Sequence, residues 1–411
     1  MLKLKEMYEQ LFGGTKRPQR SWREGEDLMV NLEPERPPGG LPGENLLVVN
    51  MGPQHPSTHG VLRLQLITDG EIIVRVIPHI GYMHRCFEKH AENLPYDEII
   101  PYTDRLDYLA SMNQNLAYVL GVERLMKIEV PERVEYIRVI MAELNRIASH
   151  LLGLGTYALD VGSITPFLWL FRDREKILDL FEWVSGARLL YNYIWIGGLA
   201  RDLPQGFLDK VREFLNYFEP NLDELDAVLS YNKIFIERTA KVGILRPETA
   251  ISYGVTGPNL RGSGVKWDLR RDEPYSIYDR FEFDIPVGTD EYGPVGSCWN
   301  RYMVRAWEMK ESIRILRQAL NQIPAEGDVK KAIPKRLAPP AGEIYMRTET
   351  PRGELGFYIV SHGTNQPYRV KVRSPSFCAI SALNEMAVGA MIADAVATVG
   401  SLDIVLCEID R

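Results

Sequence analysis

Between Thr103 and Asn321 apolar residues recur at the 3.6-residue spacing of amphipathic helices, and this periodicity limits the fold more than any other feature. Leu106, Leu109, Leu116 and Leu120 fall on one face over 103–127, with Thr103 as the expected N-cap. Val134, Ile137, Met141, Leu144, Ile147 and Leu151 do the same over 131–154, where Pro131 suits a first-turn position. Further helices fit 166–196, 205–219, 222–238 and 297–321. A Pro/Lys-rich connector over 324–341 leads to expected strands near 343–348, 354–361 and 367–373, then to a last helix over 376–399. Earlier in the chain, 46–50 reads as a strand, and 61–67 and 71–77 flank Asp69-Gly70, a β-hairpin signal. The predicted class is α+β, a large helical bundle with small β-sheet regions at one end. Its expected parts are an extended arm (1–45), a β-sheet region (46–80), the bundle (81–323), a connector with a small β region (324–375), and a buried C-terminal helix and tail (376–411).

A chain of 411 residues with 45% hydrophobic content can bury one large core. The net charge of -7 argues against nucleic acid as a partner, because phosphate binding needs a basic surface. Cys86, Cys298, Cys378 and Cys407 form no CxxC pair, which fits a reducing compartment and excludes a metal site built on adjacent thiolates. The N-terminus carries no apolar targeting segment.

Chemistry concentrates in a few stretches. Gly52-Pro53-Gln54-His55-Pro56-Ser57-Thr58-His59-Gly60 presents two histidines between prolines that disfavour a helix. It reads either as a rigid loop displaying two imidazoles or as a histidine-containing turn that caps a core. Residues 147–171 are mostly apolar but contain His150 and Asp160; Gly153, Gly155, Gly162 and Pro166 are expected to break them into a helix, a turn and a second helix. A carboxylate in such surroundings is paired, protonated or functional, or else it caps a helix. The segment from Ala379 to Gly400 is rich in small residues and holds Glu385 and Asp394, so it reads as a bundle core helix. Gly254 to Gly264 lacks the ending of a phosphate-binding loop and reads as a structured loop or subunit contact.

GPQHPSTHG, HRxxEK at 84–89, DRLDY at 104–108, SHLLGLGTYALDVGSITPF, SGARLLYNY, GVTGPNLRGSGVKWDLRR and the final SLDIVLCEIDR occur together and in this order. From Val48 to Arg411 the chain thereby resembles the quinone-site (D, or 49-kDa-type) subunits of respiratory complex I, the proton-pumping NADH:quinone oxidoreductase. The resemblance implies a fold like that of the nickel–iron hydrogenase large subunit. Hydrogenases need four thiolates, and here Asp107, Ala110, Val405 and Glu408 stand in those positions, so no metal site is expected. It further implies that His59 and Tyr108 bind the quinone head group and that Asp160 and His55 serve proton coupling. Arg85 and Arg105 would lie near an iron–sulfur cluster of a partner B subunit. No cofactor is expected on this chain. Menaquinone or ubiquinone would be substrate, with NAD and FMN elsewhere in the complex. The implied partners are subunits B, C, I, H and A, and the implied place is the cytoplasmic face of the bacterial inner membrane, peripheral and attached through partners. The alternatives are a hydrogenase-type metal subunit and a catalytically silent scaffold. One departure from the pattern is Leu190, where many relatives carry a histidine.

Overall fold

The computed structural model of the protein describes residues 46–58 and 60–411; the expected arm over 1–45 lies outside the described residues. The chain folds as α+β. Strands β1 (Leu46–Met51), β2 (Arg63–Asp69) and β3 (Ile72–His79) form an antiparallel sheet in that order. Asp69 pairs with Ile72, and Gly70 adopts φ 57°, the left-handed conformation a tight hairpin turn requires. Leu64, Leu66, Ile73 and Val76 turn inward and join a cluster with Leu383, Val399, Leu402 and Ile404 of the C-terminal segment. Backbone bonds complete the joint: Ile73 N–H donates to Ala390 O (2.9 Å) and Gly389 N–H to Ile73 O (2.8 Å).

The bundle consists of α1 (Ser111–Met126), α2 (Glu132–Asp160), α3 (Ile164–Ser185), α4 (Phe207–Leu225) and α5 (Cys298–Gln322), joined by shorter turns of helix. Helix α2 is the spine, packed against both α3 and α5 and buried on almost every face. After a short two-stranded ribbon (Ile194–Trp195 with Gly198–Leu199), a further antiparallel sheet, β4 (Gly342–Thr350), β5 (Gly353–Ser361) and β6 (Arg369–Arg373), packs on α1. The chain ends in α6 (Pro375–Ser381), α7 (Leu383–Ala387), α8 (Ile392–Leu402) and α9 (Leu406–Asp410).

Several boundaries differ from those expected, each for a local reason. Thr103 is not an N-cap; it ends a separate helical turn, Ile100–Thr103. The long helix starts only at Ser111, because Asp107 Oδ1 accepts the Leu109 N–H (3.2 Å) in a local turn that competes with helix. Gly153 and Gly155 do not break α2. A Cβ at position 153 would stand 2.8 Å from Asp403 Oδ1, so glycine there lets the C-terminal segment lie against the helix. The break falls at Gly162 (φ 95°), and Pro166 sits in the first turn of α3, where an amide N–H has no helical partner to lose. Helix α3 stops at Ser185, with left-handed Gly186 after it, rather than running to 196. Leu222 and Leu225 continue the buried stripe of Phe214 and Phe218, so the expected break near 220 is absent; α4 instead runs into a π-helical turn, Asp226–Ser230. The single helix expected over 376–399 is three: one interruption falls at Ala382, and the other where Gly389 and Ala390 leave the helix to bond Ile73 of β3. The 254–264 stretch holds a buried helical turn, Gly257–Gly262, and packs within the chain.

Candidate functional site

The 52–60 loop leaves β1 through Gly52 (φ 82°), where a Cβ would collide with Leu62 O at 2.2 Å. A single 3-10 turn, Pro56–Thr58, follows. The Thr58 hydroxyl donates to His55 O (2.8 Å), and the Ser57 N–H donates to His55 Nδ1 (3.2 Å). His55 is therefore held by its own loop with its imidazole exposed and Nδ1 used as an acceptor. His59 lies outside the described residues.

Asp160 is the last residue of α2 and meets this loop through Ser57. Burial pushes its carboxyl up to about 7, and the Ser57 hydroxyl opposes that shift without cancelling it. Gly400 of α8 makes room for it, since a Cβ there would lie 2.9 Å from Asp160 Oδ2. Asp160 and the histidine loop are thus brought together.

Tyr108 stands on the corner between Thr103 and Ser111 and is 37% exposed. Among the described residues its hydroxyl takes no hydrogen bond. Burial pushes its phenol above the ordinary range, Arg352 works against this, and Cys407, Asp107 and Asp403 add to it. Beside it lies a buried floor. Arg352, at the tip of the β4–β5 hairpin, donates to Asp107 Oδ2 (2.5 Å), Ser149 Oγ (3.1 Å), Asp403 Oδ1 (3.3 Å) and Asp403 O (2.9 Å). Glu408 accepts from Gln114 Nε2 (3.2 Å) and from the Ser376 hydroxyl; burial and the nearby Asp107 push it up to about 7. Leu109, Val405 and Cys407 form an apolar patch with Met83 and Leu152. Asp107, Ala110, Val405 and Glu408 therefore sit in one buried region as carboxylates and aliphatic groups, the wrong donors for a soft metal. Among the described residues no group of three or more His, Cys, Asp or Glu side chains is placed to hold a metal ion.

Arg85 and Arg105 are both exposed and occupy different turns. Arg85 follows a turn fixed by Asp410, which accepts the Gly81 and Met83 N–H groups (2.8 and 2.7 Å), and its charge reaches the Cys407 thiol. Arg105 donates to Pro101 O (2.5 Å) next to Asp104. Asp104 is buried, pushed up to about 7 by desolvation, and accepts the Asn192 N–H (3.1 Å) from the turn that carries Leu190. A cavity of about 530 Å³ opens between Lys241, Arg246, Glu385 and Asp394, and none of the expected site residues lines it.

Sequence reasoning missed Arg352 and Ser149, and it treated Asp403 only as part of a motif. The available signal was a lone Arg between Pro351 and Gly353 at a hairpin tip, a position that normally faces water.

Residues 160–340 and 328–411 match the family described as the respiratory-chain NADH dehydrogenase 49 Kd subunit. The chain is 57% identical over 368 residues to the D subunit of NADH-quinone oxidoreductase from Chlorobaculum tepidum, covering 89% of this chain and 92% of that protein. It is 55% identical over 374 residues to a D-type subunit, numbered 1, of NADH-quinone oxidoreductase from Cytophaga hutchinsonii, covering 89% and 95%.

Proposed function

Because the chain belongs to the 49-kDa subunit family of the respiratory-chain NADH dehydrogenase, we propose that it forms the wall of the quinone head-group site in that enzyme. Reduction of a quinone to a quinol takes two electrons and two protons, so each oxygen needs a proton donor nearby. A phenol and an imidazole both keep a donatable proton at neutral pH. Tyr108 and His59 fill these roles, and the electrons come from the iron–sulfur cluster of a partner B subunit. Asp160, poised near neutrality against the histidine loop, restores the donor's proton, and His55 shapes that loop. The carrying observation is Tyr108 itself. It is partly exposed, without a hydrogen-bond partner among the described residues, and set beside a buried charged floor.

Arg85 and Arg105 present fixed charge toward the partner's cluster. Subunits B, C, I, H and A are the proposed neighbours, with menaquinone or ubiquinone as substrate. Among the described residues no helix is long and apolar enough to cross a membrane; attachment to the cytoplasmic face of the membrane through those partners completes the proposal. The hydrogenase-type alternative would require thiolates where Asp107, Ala110, Val405 and Glu408 stand.

The test is Tyr108→Phe and His59→Ala in the assembled complex. Each is expected to lower quinone reduction about tenfold or more, since one hydrogen bond to the transition state is lost. Reduction of a hydrophilic artificial acceptor should be unchanged. Full quinone reductase activity in Tyr108→Phe would return the chain to the scaffold reading.

Leu190 carries a second expectation. A histidine beside a cluster takes up a proton when the cluster gains an electron, which makes the midpoint potential pH-dependent. Leucine has no proton to take, so the terminal cluster should show a nearly flat potential between pH 6 and 8, low enough to favour menaquinone. An EPR redox titration giving a slope near ~60 mV per pH unit, the one-electron, one-proton value, would contradict this. Asp104, bonded to the same turn, would then be the group to replace next.

A further inference from the structure

We infer that Arg352 is a positioning residue for quinone reduction, its guanidinium fixing the Asp107 and Asp403 carboxylates beside Tyr108 and stabilising the phenolate formed as that tyrosine gives up its proton. The inference rests on the quinone reading above. Arg352 is 2% exposed although it sits at a hairpin tip, and the tip itself is pinned. Thr350 Oγ1 donates to Gly353 O (2.9 Å), and Gly353 (φ 130°) lies so close to Thr256 that a Cβ would meet Thr256 Oγ1 at 2.7 Å. From that anchor the guanidinium reaches three separate elements: Asp107 on the Tyr108 corner, Ser149 on α2, and Asp403 after α8.

Stability alone does not account for this arrangement. Apolar residues of similar volume often replace a buried ion pair without loss of stability. Reaction electrostatics does account for it. In the quinone reading the two electrons would reach the quinone one at a time from the partner's iron–sulfur cluster. When a quinone oxygen takes the Tyr108 proton, the O–H bond breaks and the negative charge passes to the phenolate. Asp107, Asp403 and the Cys407 thiol disfavour that charge, and Arg352 is the cation beside it. A fixed cation there lowers the barrier to proton transfer and needs no reorganisation at the moment of reaction. Without it, the Asp107 carboxylate faces the forming phenolate, while Asp403 still has Arg305 at 3.8 Å.

The experiment measures quinone reduction per assembled complex, normalised to artificial-acceptor reduction, with kcat and KM resolved. Arg352→Met is expected to lower kcat about thirtyfold and to leave the quinone KM within about twofold. Arg352→Lys keeps a cation and should sit about threefold below the unchanged chain. A Met variant that yields less complex but normal turnover per complex makes Arg352 merely structural and overturns the inference. A Lys variant as slow as the Met variant overturns it too. If Arg352→Met does not assemble, Arg352→Met/Asp107→Asn removes the stranded carboxylate, and full turnover in that double variant overturns the inference. If neither assembles, Arg352→Lys decides alone: a loss of kcat of about threefold at constant KM supports the inference, and an unchanged kcat or a loss of about thirtyfold overturns it. Full activity in Tyr108→Phe would instead overturn the quinone reading, so the two failures are distinguishable.

Discussion

Replacing Arg270 with methionine is expected to cost the folded chain about 3–5 kcal/mol. Arg270 lies at the centre of a buried ionic cluster. Its guanidinium donates to Asp268 Oδ2 (2.7 Å) and Glu308 Oε1 (2.7 Å), and it is bonded to Glu143 (3.2 Å) as well. Arg146 and Arg261 are the other cations, bonded to Glu143 and to Glu308 and Glu349 respectively. His150 Nε2 pairs with Glu308 Oε2 (3.0 Å), and burial lowers its own tendency to charge. Three guanidiniums thus face Glu143, Asp268, Glu308 and Glu349, and burial pushes Glu349 up to about 7, which brings the cluster toward neutrality. With Arg270 gone, two cations face four carboxyl groups in a site closed to water. Protonation is then the only relief.

Linkage fixes how that deficit varies with pH. Carboxyls in the variant would have folded-state values raised above their unfolded ones, so stability is retained at low pH and lost as pH rises through those values. Denaturant unfolding of the purified variant should therefore show a deficit against the unchanged chain that is larger at pH 8 than at pH 6. A deficit below about 1 kcal/mol at both values would mean that the cluster contributes little beyond what packing supplies.

That cluster also shows what a sequence can and cannot disclose. Helical periodicity located the bundle, because α2, α3 and α5 bury regular apolar stripes. It could not anticipate that α2 also buries Glu143, Arg146 and His150, since the Arg270, Glu349 and Glu308 groups that complete their burial lie far along the chain. Glu308 is 158 residues from His150. Glycine misled for a related reason. In the sequence Gly153 reads as a helix breaker, but in the fold it is the gap through which Asp403 approaches. Likewise Gly389 interrupts the C-terminal helix because β3 offers residues 389 and 390 better backbone partners than another helical turn would. For the site, the resemblance supplied Tyr108, Asp160, Arg85 and Arg105. Arg352 stayed hidden, because burial of a charge at a hairpin tip is a tertiary fact.

Asp160→Asn is expected to leave the complex assembled while quinone turnover falls on the order of a hundredfold, the loss typical of removing a positioned acid/base group. Asp160 ends α2, where the negative end of the helix dipole disfavours a carboxylate, and the next helix begins at Ile164 after Ser163. A capping role is therefore a poor reason for an acid at this position. Its carboxyl is pushed up to about 7, so at neutral pH it is divided between the two forms and can both accept and return a proton. Asparagine keeps the shape and a hydrogen-bonding partner for Ser57 but cannot exchange a proton. The unchanged enzyme should show an inflection in turnover near pH 7 that the variant lacks. Stability should move the other way. A carboxyl raised in the folded state costs stability as pH rises past its unfolded value, so removing it should leave the chain at least as stable at pH 8. Lower activity with equal or higher stability separates a proton-handling residue from a structural one, because a structural residue loses both together. A variant with normal turnover would show that the raised value is only a consequence of burial, and the relay to the histidine loop would have to be sought elsewhere.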